Sequence, residues 1–108
     1  HGNGSVLLDS CEAGAILAVV GETVSVTTIK PTVGETLGAA GAFQAAGVVL
    51  AIANGVVPGV VGAVPLAVTH PLNLVLNPMV GPVGTILVNT LDRGGSAVSF
   101  VLRRSSNG

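Results

Sequence analysis

Acid–base, nucleophilic and metal chemistry in this sequence rests on His1, Asp9, Cys11, Glu12, Glu22, Glu35, His70 and Asp92. Acid–base catalysis needs such groups gathered in one pocket. Four of the five acids precede residue 36 and fall at expected strand ends or turns, where solvated carboxylates are the ordinary reading. A catalytic thiol needs a base beside it. With two histidines in the chain, the lone Cys11 reads first as a small buried hydrophobe. An intersubunit cross-link or an attachment point is its functional alternative. No nucleophile elbow, phosphate loop, HExxH or CxxC pattern occurs. The motifs therefore predict no enzyme.

One constellation points to a metal. His1 at a chain start offers an amine and an imidazole, and His70 supplies a third nitrogen. Imidazole nitrogen suits copper. The pair resembles the histidine brace of secreted copper oxidases that cut polysaccharides, which implies a secreted copper-binding module carried by His1 and His70. His70-Pro71 is equally a common turn context, so the primary expectation is no metal and no cofactor. The first residue is His and not Met, which suggests removal of a signal peptide, and Asn3-Gly4-Ser5 is a glycosylation sequon. Asn73, Asn77 and Asn89 read as polar-face residues of strands.

The elements that would hold these residues are read from an unusual composition. From Thr36 to Leu91 there is no Asp, Glu, Lys or Arg, and the whole chain is 8% charged, against about a quarter for an ordinary soluble domain. Residues 39–57 are long enough for a membrane span. Gln44, Asn54 and the interior glycines weaken that reading, and flanking basic anchors are missing. Pro58, Pro65, Pro71, Pro78 and Pro82 then recur too closely for a regular helix. Valine is abundant, and period-two alternation shows in Thr23–Thr27, Leu72–Asn77 and Ser96–Arg103.

These patterns predict an all-β fold, a small sandwich or jelly-roll-like barrel of seven or eight short strands. The expected strands are 4–9, 14–20, 23–30, 46–53, 60–68, 72–76, 84–91 and 96–103, with one short Ala/Gly-rich helix near 38–47. Asp92-Arg93-Gly94-Gly95 predicts a C-terminal hairpin turn. The chain reads as a single domain, 1–108, whose first ten residues form an extension or a donor strand.

Net charge is −1 and there is neither Trp nor Tyr. A phosphate-tracking groove with stacking platforms is excluded, and with it nucleic-acid binding. A chain with so little charge exposes apolar surface, and unguarded strand edges accept another chain. The sequence thus predicts a secreted structural protein at the cell surface, a homo-oligomer or polymer that builds a filament, coat or layer. Val61, Leu72, Leu74, Val75 and Leu76 are its expected assembly face, and Cys11 its cross-link candidate. In composition, as in Val64–Asn73, the chain resembles surface-active coat proteins such as the chaplins of filamentous bacteria. A membrane-embedded or membrane-active protein is the alternative.

Overall fold

Helix formation at both ends of the first half sets the architecture. The computed structural model describes residues 1–63 and 69–106, and the chain order mixes helices with short strands. Helix α1 spans Val6–Val20, where strands 4–9 and 14–20 were expected. Ser5 caps it, its hydroxyl accepting the Leu8 N–H at 3.5 Å. Gly21, at φ 76°, closes it by donating its N–H to the Leu17 carbonyl. From Ala13 to Val20 α1 carries no polar side chain, so no 3.6-residue stripe distinguishes that part from a strand. Only Ala13 is buried, while Leu7 and Val19 stand 73% and 81% exposed.

Strand β1 is only Ser25–Val26, followed by the short helix α2, Lys30–Val33, with Pro31 in its first turn. A 3-10 turn over Leu37–Ala39 leads into α3, Ala40–Asn54. The expected helix near 38–47 is therefore longer than predicted and absorbs the expected strand 46–53. Alanine, the best helix former, outweighs Val48 and Val49 across this span. The segment Leu37–Asn54 is long and apolar enough to cross a membrane by length and composition.

Strands β2 (Val56–Val57), β3 (Asn73–Leu74) and β4 (Met79–Val80) are two-residue pieces. β1 pairs in parallel with β3, and β2 antiparallel with β4. The expected strand 60–68 lies partly outside the described residues. Strands β5 (Thr85–Leu91) and β6 (Ala97–Arg103) form the expected antiparallel hairpin, Leu91 opposite Ala97 and Thr85 opposite Arg103. Asp92 builds its turn, accepting the Gly94 N–H on the side chain and the Gly95 N–H on the carbonyl.

The all-β sandwich is thus corrected to a mixed helix–strand domain with three two-stranded sheets among the described residues. α3 lies on the hairpin, where Gln44 Nε2 donates to the Asn89 carbonyl at 3.1 Å. Ala40, Val48 and Ala51 of α3, Val88 of β5, Ala13 and Val75 make up the buried apolar core. The core is built of small side chains, so backbones come close. Gly55 ends α3 at φ 65°, and a Cβ there would stand 2.9 Å from the Gly81 carbonyl oxygen. Its own carbonyl accepts the Gly81 N–H. Gly55→Ala therefore meets both a left-handed backbone and a steric block, and costs at least about 1–2 kcal/mol. Urea unfolding of the variant should show a lowered midpoint with the slope unchanged.

Candidate active site

Two carboxylates on α1 gather the start of the chain. Asp9 and Glu12 lie in the first two turns of the helix that Ser5 caps. Glu12 accepts from the His1 backbone nitrogen at 2.7 Å and from the Gly2 N–H at 3.3 Å. Asp9 accepts the Asn3 N–H at 3.2 Å and the Gly4 N–H at 3.0 Å. Four consecutive backbone donors are thereby pinned on one helix. Gly2 (φ 53°) and Gly4 (φ 84°) supply the left-handed conformations that let successive N–H groups turn the same way. Thr28 secures the turn from the other side, its hydroxyl donating to the His1 carbonyl at 3.1 Å.

The result is a His1 side chain only 4% exposed. The Leu91 N–H, at the end of β5, donates to Nδ1 at 3.3 Å. That hydrogen bond requires a lone pair on Nδ1, so it assigns the ring proton to Nε2. Lys30, at the start of α2, is buried, and its Nζ lies 3.1 Å from Nδ1 and 3.0 Å from Nε2. A position nearly equidistant from both nitrogens is off the lone-pair axis of either one. The ammonium therefore acts on the ring mainly as a charge beside it.

Glu35 completes the cluster from the loop after α2. Its Oε2 accepts from Lys30 Nζ at 2.8 Å and from Asn3 Nδ2 at 3.4 Å, and its Oε1 accepts the Leu37 N–H at 3.1 Å. Oε2 is also 3.7 Å from His1 Nε2. The Lys30 hydrogen bond holds the Glu35 carboxyl below its ordinary value of 4.5, against the smaller opposing effect of desolvation. Leu37 has φ 50°, the one described non-glycine residue in the left-handed region. Strain of that kind concentrates where a chain must present particular groups.

A cavity of about 230 Å³ opens beside this cluster, lined by His1, Gly2, Thr28, Val61, Leu72 and Leu74. A larger groove of about 570 Å³ runs between α1 and the hairpin, with Cys11, Ile16 and Leu87 in its walls. Glu12 and Leu91 line it too, and both also hold His1.

The sequence-predicted residues are redistributed by this geometry. His70 packs against α1, its Nε2 3.5 Å from where a Cβ on Gly14 would stand, and its Nδ1 is buried with no hydrogen-bond partner among the described residues. The brace is not assembled, because the His1 nitrogens are engaged by Glu12, Lys30 and Leu91. No group of three or more His, Cys, Asp or Glu residues able to hold a metal occurs among the described residues. Cys11 is exposed and not a core hydrophobe. Of the expected assembly face, Val61, Leu72 and Leu74 line the cavity beside His1, Val75 is buried, and Leu76 is 48% exposed. Glu22 and Asp92 are exposed turn carboxylates, whereas Asp9, Glu12 and Glu35 are structural parts of the cluster. Lys30 and the Leu91 amide were not foreseen. Lys30 had a legible signal in its place just before a proline that opens a helix. A backbone amide has none.

Residues 1–63 match the family described as beta-ketoacyl synthase, C-terminal domain. That is more than half of the chain, and the chain belongs to this family. The matched span carries His1, Asp9, Glu12, Lys30 and Glu35. The chain is also similar to 3-oxoacyl-[acyl-carrier-protein] synthase 2 of Rhizobium meliloti (strain 1021), 33% identical over 110 residues that cover 96% of this chain and 25% of that protein. It spans about a quarter of the length of that relative. Membership in an enzyme family overturns the expectation of a non-enzymatic, secreted filament or coat subunit. The membrane-embedded and copper-module alternatives fall with it, as does the coat-protein likeness in composition.

Two outcomes test this geometry. Because the folded Glu35 carboxyl titrates below 4.5, its contribution to stability is fully present above that value and is lost as pH falls through the folded-state value. Thermal unfolding should therefore decline more steeply between about pH 5 and pH 3 in the native protein than in Glu35→Gln. Glu12→Ala leaves the His1 and Gly2 nitrogens without their acceptor and should cost roughly 1–3 kcal/mol in denaturant unfolding.

Proposed function

We propose that this chain supplies the imidazole–ammonium–carboxylate cluster of an enzyme that joins acyl thioesters into 3-oxoacyl thioesters, with acyl groups on a carrier protein as substrates. Support comes from family membership together with one observation, the Leu91 N–H bound to Nδ1 of a buried histidine. Forming a 3-oxoacyl thioester requires a carbon nucleophile next to a thioester carbonyl. As that nucleophile forms, negative charge develops on the carbonyl oxygen. Nε2–H is a fixed donor for that oxygen, and the Lys30 ammonium 3.0 Å from Nε2 adds a positive field at the same place. Lys30 is itself kept in position by Glu35, so the donor and the field need no rearrangement as charge appears. The cavity walls of Val61, Leu72 and Leu74 offer apolar surface to an acyl group. The reading places the protein in fatty-acid-type biosynthesis and in the cytoplasm.

Self-association, expected from composition, stands beside this function as a separate proposal. It is supported by the apolar side chains that α3 leaves uncovered, Phe43, Val49 and Leu50, at 46–62% exposure.

His1→Ala removes the oxyanion donor and should lower 3-oxoacyl product formation by roughly 10²-fold or more. The measurement is mass-spectrometric product analysis with the protein at its full native length, with circular dichroism as the folding check. Product formation unchanged in a folded His1→Ala variant would refute the proposal.

A further inference from the structure

Thr28 holds both halves of the imidazole–ammonium pair with one oxygen atom. Its hydroxyl donates to the His1 carbonyl at 3.1 Å, across 27 positions of sequence, and accepts the Lys30 N–H at 3.3 Å. We propose that Thr28 is a positioning residue of this site, and that its hydroxyl fixes the separation between the His1 ring and the Lys30 ammonium. This inference rests on the roles given to His1 and Lys30 above.

The second of these bonds follows from the way α2 begins. Lys30 opens the helix, and the residue before it, Ile29, offers no side-chain cap. The first N–H groups of a helix have no partner within it, and Pro31 carries no N–H at all. Thr32 and Val33 donate to the Ile29 carbonyl, and Gly34 donates to that of Lys30. The Lys30 N–H therefore needs an acceptor from outside the helix. The threonine two residues earlier supplies it in a short side-chain turn. Thr28 thereby fixes where the Lys30 side chain starts, while Glu35 fixes where it ends, 2.8 Å from Nζ.

Packing against Gly2 holds the hydroxyl in place. A Cβ on Gly2 would stand 2.8 Å from Thr28 Cγ2, 3.1 Å from its Cβ and 3.2 Å from Oγ1. Only a residue without a side chain lets the two segments approach so closely, and Gly2 also has φ 53°. A β-branched side chain is stiff about χ1. With its methyl against Gly2, Thr28 presents Oγ1 to the His1 carbonyl and the Lys30 amide together.

Thr28 lines the cavity beside His1, yet its proton and one lone pair are committed to backbone groups. Its effect on the reaction therefore passes through its neighbours. An electrostatic site works by holding donors and charges, without rearrangement, where negative charge will develop. Lysine is a point charge on a flexible four-carbon stem. An unanchored base would let the ammonium leave its station 3.0 Å from Nε2, and misplacement by about 1 Å can cost roughly 10²-fold in rate. Binding of an acyl group draws instead on the apolar walls of Val61, Leu72 and Leu74. Loss of the hydroxyl should then appear in kcat and not in KM.

The test measures 3-oxoacyl product formation by the protein at its full native length, with hexanoyl and malonyl thioesters of a carrier protein supplied together. Thr28→Val keeps the shape and removes the hydroxyl, so kcat should fall roughly tenfold or more while KM stays within about twofold of the native value. Thr28→Ser keeps the hydroxyl and should recover most of the lost rate. In a Lys30→Met background Thr28→Val should cause no further loss, because a residue that acts through another adds nothing once that other is gone. Circular dichroism checks folding, and Thr28→Ala carries the same expectations if the valine variant does not fold. An unchanged kcat in folded Thr28→Val, no recovery in Thr28→Ser, or an equal loss in the Lys30→Met background overturns the assignment of Thr28. Where His1→Ala still lowers product formation in the same assay, such a result removes only this inference. Product formation insensitive to His1→Ala and Thr28→Val alike overturns the oxyanion role of His1 along with it.

Discussion

The site depends on the pinning of four consecutive backbone nitrogens by two carboxylates one turn apart on a single helix. Asp9 and Glu12 present their side chains to the same end of α1, and the His1–Gly4 segment folds onto them. A backbone donor left without a partner in a half-buried turn costs free energy comparable to a lost hydrogen bond. The carboxylates therefore do two things at once. They terminate the chain's freedom before the helix, and they place an imidazole where Leu91, Lys30 and Glu35 converge. Elements far apart in sequence meet at His1, with α1 holding its backbone, β5 its Nδ1, and α2 with the following loop its Nε2 edge.

Charge economy follows from that arrangement. A buried ammonium is tolerable only when paired and hydrogen-bonded. Lys30 meets both conditions through Glu35, with which it is both ion-paired and hydrogen-bonded. The side chains of Asp9, Glu12, Lys30 and Glu35 are all engaged within this cluster. The shortage of charge elsewhere in the chain then has a simple counterpart, because much of the charge present is concentrated where the chemistry is. The uncharged stretch from Thr36 to Leu91 supplies α3 and the hairpin strand that ends at Leu91.

How much of this was legible depends on the element. The hairpin β5–β6 announced itself, because a turn of Asp, Arg and two glycines sits between alternating runs and both signals are local. The helices did not. Beyond Glu12, α1 is an unbroken run of Ala, Gly, Ile, Leu and Val, and a stretch without polar residues has no periodicity to read. Its Ser5 cap with Asp9 in the first turn was present in the sequence. It was outweighed by the valines and leucines around it, whose strand preference is a matter of context more than of backbone. In α3 the alanines carried the helix signal, but Gly47 and the flanking valines obscured its length.

The site was less legible than the fold, and for a different reason. Taken singly, Glu12 and Glu35 read as solvated turn carboxylates, because nothing in a linear chain shows that residues 1, 12, 30, 35 and 91 share one centre. The sequence did single out His1, but as a metal ligand, since a terminal histidine offers two adjacent nitrogens. The structure gives each nitrogen a different partner, a carboxylate for the backbone nitrogen and an amide donor for Nδ1. Those partners convert a chelating residue into a hydrogen-bond donor. The residue type was therefore informative while its chemistry was not. Whether imidazole binds a metal or an oxyanion depends on whether its ring nitrogens are left free or held by neighbouring donors. Here Leu91, a residue with no functional side chain, makes that choice through its backbone.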